Sequence, residues 1–134
     1  MKRAFARSND SLTAIYEFAE AIMSSSEVND AARFSVHLAL EELFVNMVKY
    51  NPGVTSDIDI DVSTHDDKVT LVMTEHGVPE FDVTRARAVD TNAPLDERTP
   101  GGLGVHLIQN LADSLDYQYG DGQSRVIFTK KSGI

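Results

Sequence analysis

The residues most able to do chemistry lie on one apolar segment. Between Phe34 and Tyr50, the side chains Phe34, Val36, Leu38, Leu40, Leu43, Phe44, Val45, Met47 and Val48 would cover most of a helical circumference. A helix that is apolar nearly all round is a buried one. Yet Glu42, Asn46 and Lys49 recur at i, i+4 and i+7, which puts them within roughly 60° of arc at 100° per residue. Ser35 and Ala39 extend that stripe with small side chains. A buried carboxylate, carboxamide and ammonium must be paired or must face a polar cavity. The stripe therefore fits either an internal ion pair, with Lys49 reaching out to water, or a site in which a carboxylate acts as a base beside a carboxamide ligand. Glu41 falls off the stripe and reads as a solvated neighbour.

Two glycine segments add to this. Gly101-Gly102-Leu103-Gly104 runs straight into a helical pattern. Glycines let backbone N–H groups approach an anion, and a helix N-terminus adds partial positive charge. No Gly-Lys-Ser/Thr follows, so this is no P-loop, and no parallel βαβ unit surrounds it. Thr74-Glu75-His76-Gly77-Val78-Pro79 sets an acid before a tight turn at a strand end, which can aim a carboxylate into a pocket or simply turn the chain.

Other chemistries find little support. His37, His65, His76 and His106 form no H-x-x-x-H or comparable pair, so zinc is not expected. Asp57, Asp59 and Asp61 share one strand face without the glycine of a calcium loop. With no cysteine there is no disulfide, thiolate site or cysteine nucleophile. The net charge of −9 argues against nucleic acid as a partner, and no stretch reaches the length of a membrane span. Nothing resembling a signal peptide follows Met1-Lys2-Arg3, so a cytoplasmic setting is expected.

The elements that must position these groups are legible in the periodicity. The 134 residues suit a single domain, 1–134. Residues 2–7 read as a short edge strand. Leu12, Ile15, Ala19 and Ile22 give a helix over 11–24. A second helix runs from about Asp30 to Tyr50, stopped by Asn51-Pro52-Gly53. The alternation of Asp57 to Val62 predicts a strand, paired through a turn at Asp66-Asp67 with a strand over 69–73. A third helix is expected over 104–114, then strands near 115–119 and 124–130 about Gly120-Asp121-Gly122-Gln123. Helices on one face of a mostly antiparallel sheet would bury both apolar sets, which makes an α+β two-layer sandwich. Residues 83–102, with Pro94 and Pro100, make a long segment without apolar periodicity, and a loop of this length in a compact domain reads as a functional lid.

In this order the motifs resemble the GHKL ATPase superfamily, and most of all its stand-alone bacterial serine/threonine kinases that act as anti-sigma factors. Leu40 to Asn46 is similar to the family's E-x-x-x-N box. Glu75-His76-Gly77, with Pro79, Phe81 and Asp82, is similar to the first glycine box. Glu97 to Gly104 is similar to the lid end and second glycine box, and the similarity spans roughly residues 10–131. The resemblance implies a GHKL fold with ATP and Mg²⁺ as cofactors. It makes Asn46 the metal ligand and Glu42 the general base. It assigns Glu75 the adenine amino group, with Gly77 as its turn. Gly101, Gly102, Leu103 and Gly104 would wrap the phosphates, Arg98 would sit near the terminal phosphate, and Lys49 would support the same charge. The family's first box normally opens with Asp. The extra methylene of Glu75 moves the carboxylate by about 1.5 Å, so either the pocket is reshaped or nucleotide binding weakens, by about 1–3 kcal/mol for an imperfect polar contact.

The resemblance further implies partner switching. The kinase would phosphorylate a small anti-sigma-factor antagonist, hold a sigma factor in the alternative complex, and form a homodimer. A second reading is a GHKL-like module that sequesters a partner with little or no transfer. The ATPase domain of a sensor histidine kinase fits less well, because the chain has no evident phosphoacceptor helix pair.

Overall fold

A computed structural model describes residues 1–84 and 102–133, with Gly102 and Leu103 described by their backbone only. Among these residues, five strands and three α-helices follow one another as β1 (Lys2–Phe5), α1 (Leu12–Ser24), α2 (Asp30–Tyr50), β2 (Ile58–His65), β3 (Lys68–His76), α3 (Gly102–Leu111), β4 (Ser114–Gly120) and β5 (Gln123–Lys131). The sheet order is β1-β2-β3-β5-β4, and every pairing is antiparallel.

Both long hairpins turn where the chain tolerates positive φ. Asp66 and Asp67 stand at φ +51° and +60°, Asp121 and Gly122 at +54° and +74°. Two residues with φ above zero match the right-handed twist of the flanking strands, and Asp and Gly are among the residues that visit this region. The turns fix the registers His65↔Lys68 and Gly120↔Gln123. With register fixed, Ile58, Ile60 and Val62 of β2 and Val69, Leu71 and Met73 of β3 fall on one fully buried face. The helices cover that face. Leu43, Phe44 and Met47 of α2 are wholly buried against it, and burying side chains of this size stabilises by about 1.5–3 kcal/mol each. The edge strand β1 adds Phe5, packed edge-on against Phe18 of α1 at 5.5 Å between ring centres.

Several expected boundaries shift. β3 continues through Thr74, Glu75 and His76, so the first glycine box starts inside the strand. α3 begins at Gly102 and ends at Leu111, which puts Gly102 as well as Gly104 in its first turn. α2 is not enclosed on all sides: Phe34 is 63% exposed and borders an open groove between α1 and α2. Of the expected lid, 83–102, residues 85–101 lie outside the described residues. Its root is described: Thr84 donates its N–H and hydroxyl to Asp82, and Gln109 of α3 donates to the Thr84 carbonyl at 2.6 Å.

The helix that carries the polar stripe is capped by Asn29, whose Oδ1 accepts from the Ala32 N–H at 2.8 Å. Removing such a cap costs about 1 kcal/mol. Asn29→Ala is therefore expected to lower the unfolding free energy by about that amount in urea. Nucleotide affinity should stay unchanged, since the cap lies more than three turns from Glu42.

Candidate functional site

α2 presents its stripe as the sequence spacing requires. Ser35 and Ala39 are buried, Asn46 is 3% exposed, Glu42 is half-buried and Lys49 reaches solvent. Among the described residues no hydrogen bond ties the Asn46 carboxamide, and it is not enclosed to the point of being an orphan. The Lys49 ammonium lies 5.2 Å from the centre of the Tyr50 ring, which in turn packs on Phe81 at 5.1 Å.

The first turn of α3 meets this stripe at Gly104. A Cβ added there would stand 2.2 Å from Glu42 Oε2 and 2.4 Å from its carboxyl carbon. Two segments far apart in sequence are thus brought together, and any side chain added at 104 would require the Glu42 carboxyl to shift. Burial pushes the Glu42 carboxyl above the usual carboxylate range, and the neighbouring Glu41 adds to the shift. Desolvation disfavours the charged form, and a second acid does the same. The result is a carboxyl group raised toward the working range of a general base, beside a helix N-terminus whose first amides have no partner within the helix.

The end of β3 is held by three other elements. Gly77 turns the chain at φ +68°, a region that side chains avoid. The β4–β5 hairpin then clamps the turn. The Val78 N–H donates to the Gly122 carbonyl at 3.0 Å, Tyr119 donates its hydroxyl to the Val78 carbonyl at 2.7 Å, and the Phe81 N–H donates to the Tyr117 oxygen at 3.1 Å. Burial pushes the Tyr117 hydroxyl up from its ordinary value.

Glu75 itself is buried, and its carboxylate is engaged. Oε2 accepts from Arg7 Nη1 at 2.8 Å and from Asn51 Nδ2 at 3.1 Å, and Oε1 accepts from the Ser124 hydroxyl at 3.5 Å. The ion pair is enclosed, with side chains 5% and 2% exposed. This is where the longer acid goes: its extra methylene carries the carboxylate to a cation supplied by the segment after β1. Sequence reasoning missed Arg7, Asn51 and Ser124 as members of this region. Asn51 was legible only as a helix stop and Ser124 only as a strand residue. Arg7 carried no signal, because nothing in its spacing links it to an acid so far along the chain.

The remaining candidates separate clearly. Arg98 and Gly101 lie outside the described residues. Gly102 and Leu103 place their backbone in the first turn of α3, next to Gly104. His76 pairs with Asp59 at 2.8 Å, and Asp61 lies 3.3 Å from the Met1 amine. The acids of β2 thus form a paired, solvated face, and among the described residues no group of three or more His, Cys, Asp or Glu is arranged to hold a metal ion. A magnesium ion at this site would have to come with the phosphates. The buried Asn46 carboxamide fits that arrangement, because Mg²⁺ commonly takes one or two protein oxygens together with substrate phosphates and water.

Comparison with known proteins agrees with this geometry. Residues 5–130 match the histidine kinase-like ATPase domain. A serine/threonine-protein kinase, BtrW, of Bordetella bronchiseptica is 28% identical over 102 residues, covering 75% of this chain and 71% of that protein. The structure of the Acinetobacter baumannii histidine kinase AdeS superposes with a TM-score of 0.54 at 14% identity, covering 100% of this chain and 68% of that one. The catalytic domain of the histidine kinase ThkA superposes with a TM-score of 0.52 at 15% identity, covering 98% and 96%. At such identities the two structures speak to the fold, which is the GHKL sandwich. With nearly its whole length matched, its N box and second glycine box in contact, and its first box at the end of a central strand, the chain belongs to the histidine kinase-like ATPase domain family.

Proposed function

We propose that this protein is an ATP-dependent serine/threonine protein kinase that also acts as an anti-sigma factor, with a small anti-sigma-factor antagonist as its substrate. The observation that carries the kinase chemistry is the contact of Glu42 with Gly104. It brings a carboxyl group of raised pKa to the amides that open α3. The N-terminal amides of α3 offer donors to phosphate oxygens, and the Asn46 carboxamide offers an oxygen to the metal. A magnesium ion held by Asn46 would neutralise charge on the phosphates. Glu42 accepts the proton of the attacking hydroxyl as its oxygen bonds to the γ-phosphorus and the bond to the ADP oxygen breaks. The serine/threonine-kinase name of the Bordetella relative supports a protein hydroxyl as acceptor. The sigma factor and the homodimer follow from the family resemblance alone. Phosphate on the antagonist would add charge that a fitted interface does not absorb, which releases one partner in favour of the other.

A second reading is favoured by one observation. Glu75 is closed into an ion pair with Arg7, so adenine has a more encumbered acceptor than a free aspartate would give. A domain that binds its partners firmly and transfers phosphate slowly would follow from that.

Three outcomes test the proposal. With labelled ATP, Mg²⁺ and candidate antagonists, Glu42→Ala is expected to lower the transfer rate by about 10²–10⁴-fold while ATP affinity stays near wild type. Firm partner binding with no transfer by the unaltered protein would instead support the module. Asn46→Ala should abolish the magnesium-dependent part of ATP binding in calorimetry and leave the circular dichroism spectrum unchanged; an unaltered magnesium response would reject the metal role.

The pH dependence of Glu42 has a definite sign. Because its folded pKa is raised, its contribution to stability is present below the unfolded value of about 4.3 and is lost as pH rises through the folded value. Glu42→Gln should therefore stabilise the fold at neutral pH and have no effect on stability below about pH 4. Transfer by the wild type should fall away on acidification at a pH above that of an ordinary carboxylate.

A further inference from the structure

Arg7 is placed at a junction. Its Nε donates to the Ser56 carbonyl at 3.2 Å, and its Nη1 donates to the Met47 carbonyl at 3.1 Å and to Glu75 Oε2 at 2.8 Å. It thereby ties the last turns of α2, the loop before β2 and the end of β3. A purely structural staple would be expected to use all its donors, since buried polar groups are almost always paired. Arg7 does not. Its Nη2 is the one fully enclosed side-chain nitrogen or oxygen without a hydrogen-bond partner among the described residues. A guanidinium nitrogen left so is costly unless a ligand atom completes it.

Glu75 has complementary capacity. Oε2 already takes two donors, while Oε1 takes only the long bond from Ser124. The ion pair thus retains one donor nitrogen and one acceptor oxygen, and Glu75 stands two residues before the turn made by Gly77. A 6-aminopurine carries the matching pattern, an amino donor next to a ring-nitrogen acceptor.

We propose that Arg7 is a base-recognition residue of the nucleotide site. Nη1 fixes the Glu75 carboxylate so that Oε1 accepts the amino group, and Nη2 donates to a ring nitrogen flanking that group. This rests on the nucleotide-binding reading of the site and adds to it a residue from outside the family motifs. It also gives a reason for glutamate at this position, since the longer side chain reaches the guanidinium.

The test is a titration of the full chain, in Mg²⁺, with ATP, the 1-deaza and 7-deaza analogues of ATP, and purine riboside triphosphate, which lacks the amino group. Wild type, Arg7→Lys and the neutral double variant Arg7→Met/Glu75→Gln are compared, with folding followed by thermal unfolding. The wild type should bind one deaza analogue about tenfold more weakly than ATP. Arg7→Lys keeps one cation on Glu75 but has no second nitrogen. It should bind ATP about tenfold more weakly and treat ATP and that analogue alike, while still rejecting the triphosphate without the amino group. The double variant should lose the deaza discrimination as well. If both deaza analogues bind the wild type as ATP does, or if either folded variant keeps the wild-type discrimination, the Arg7 role is overturned and nucleotide binding itself stands. Should these variants fail to fold, Arg7→Gln with Glu75 unaltered takes their place, and discrimination kept by that variant overturns the role in the same way. A wild type that binds none of these nucleotides removes the nucleotide reading and the Arg7 role together.

Discussion

The structure depends on one constraint: α2 must seal the core and still keep a polar edge. Leu43, Phe44 and Met47 are wholly buried under the sheet, while Glu42 and Asn46, on intervening positions of the same turns, are not apolar at all. A helix can do both only if the polar stripe meets something other than packed side chains. Here it meets Gly104, in the first turn of α3. Any larger residue at that place would occupy the space of the Glu42 carboxyl group. The glycine thus lets the Glu42 carboxyl lie against the first turn of α3, and burial there raises its pKa.

The Arg7–Glu75 pair follows a different logic. Desolvating two charges is costly, and replacing such a pair by well-packed apolar residues is often neutral or stabilising. Stability alone is therefore a poor reason for it. The pair joins three elements at the point where β3 leaves the sheet, and removing one partner would strand a buried charge, typically at about 3–5 kcal/mol. An arrangement that is expensive to break and gains little by being made is one that fixes geometry. The geometry fixed is that of the first glycine box, which the β4–β5 hairpin clamps from the other side through Tyr119 and Gly122.

Local pattern made most of the fold legible. The strict alternation of Asp57 to Val62 and the helical spacing about Leu12 to Ile22 are statements about neighbours in sequence, and the observed elements follow them to within one to three residues. The site was legible only where it too was local. Glu42 and Asn46 share a helix, so their i, i+4 spacing announced a common edge. Gly104 was singled out as a glycine at a helix start, yet its contact with Glu42 is tertiary, and no period reports it. Arg7 is the extreme case. It lies just past a four-residue edge strand, and its partner Glu75 is brought within reach only after β1, β2 and β3 are paired in register. Phe34 failed in the opposite direction. It completes an apolar circumference in sequence, but it stands exposed beside an open groove between α1 and α2.

The charge balance bears on how such a domain holds a triphosphate. With a net charge of −9, its overall field opposes a polyanion. Arg7 is no help with phosphates, because its charge is turned to Glu75 inside the protein. Beside Lys49, the described residues at the site offer groups that carry no net charge of their own: the amides at the start of α3, and a carboxamide that could hold a metal already bound to phosphate. Neutral dipoles act over short range and in fixed directions, so they select for shape where a cluster of lysines would attract any anion. Such an arrangement would suit the proposed uptake of a metal–nucleotide complex, with the discriminating work falling to the buried Asn46, to the first turn of α3 and to the Glu75 end of β3.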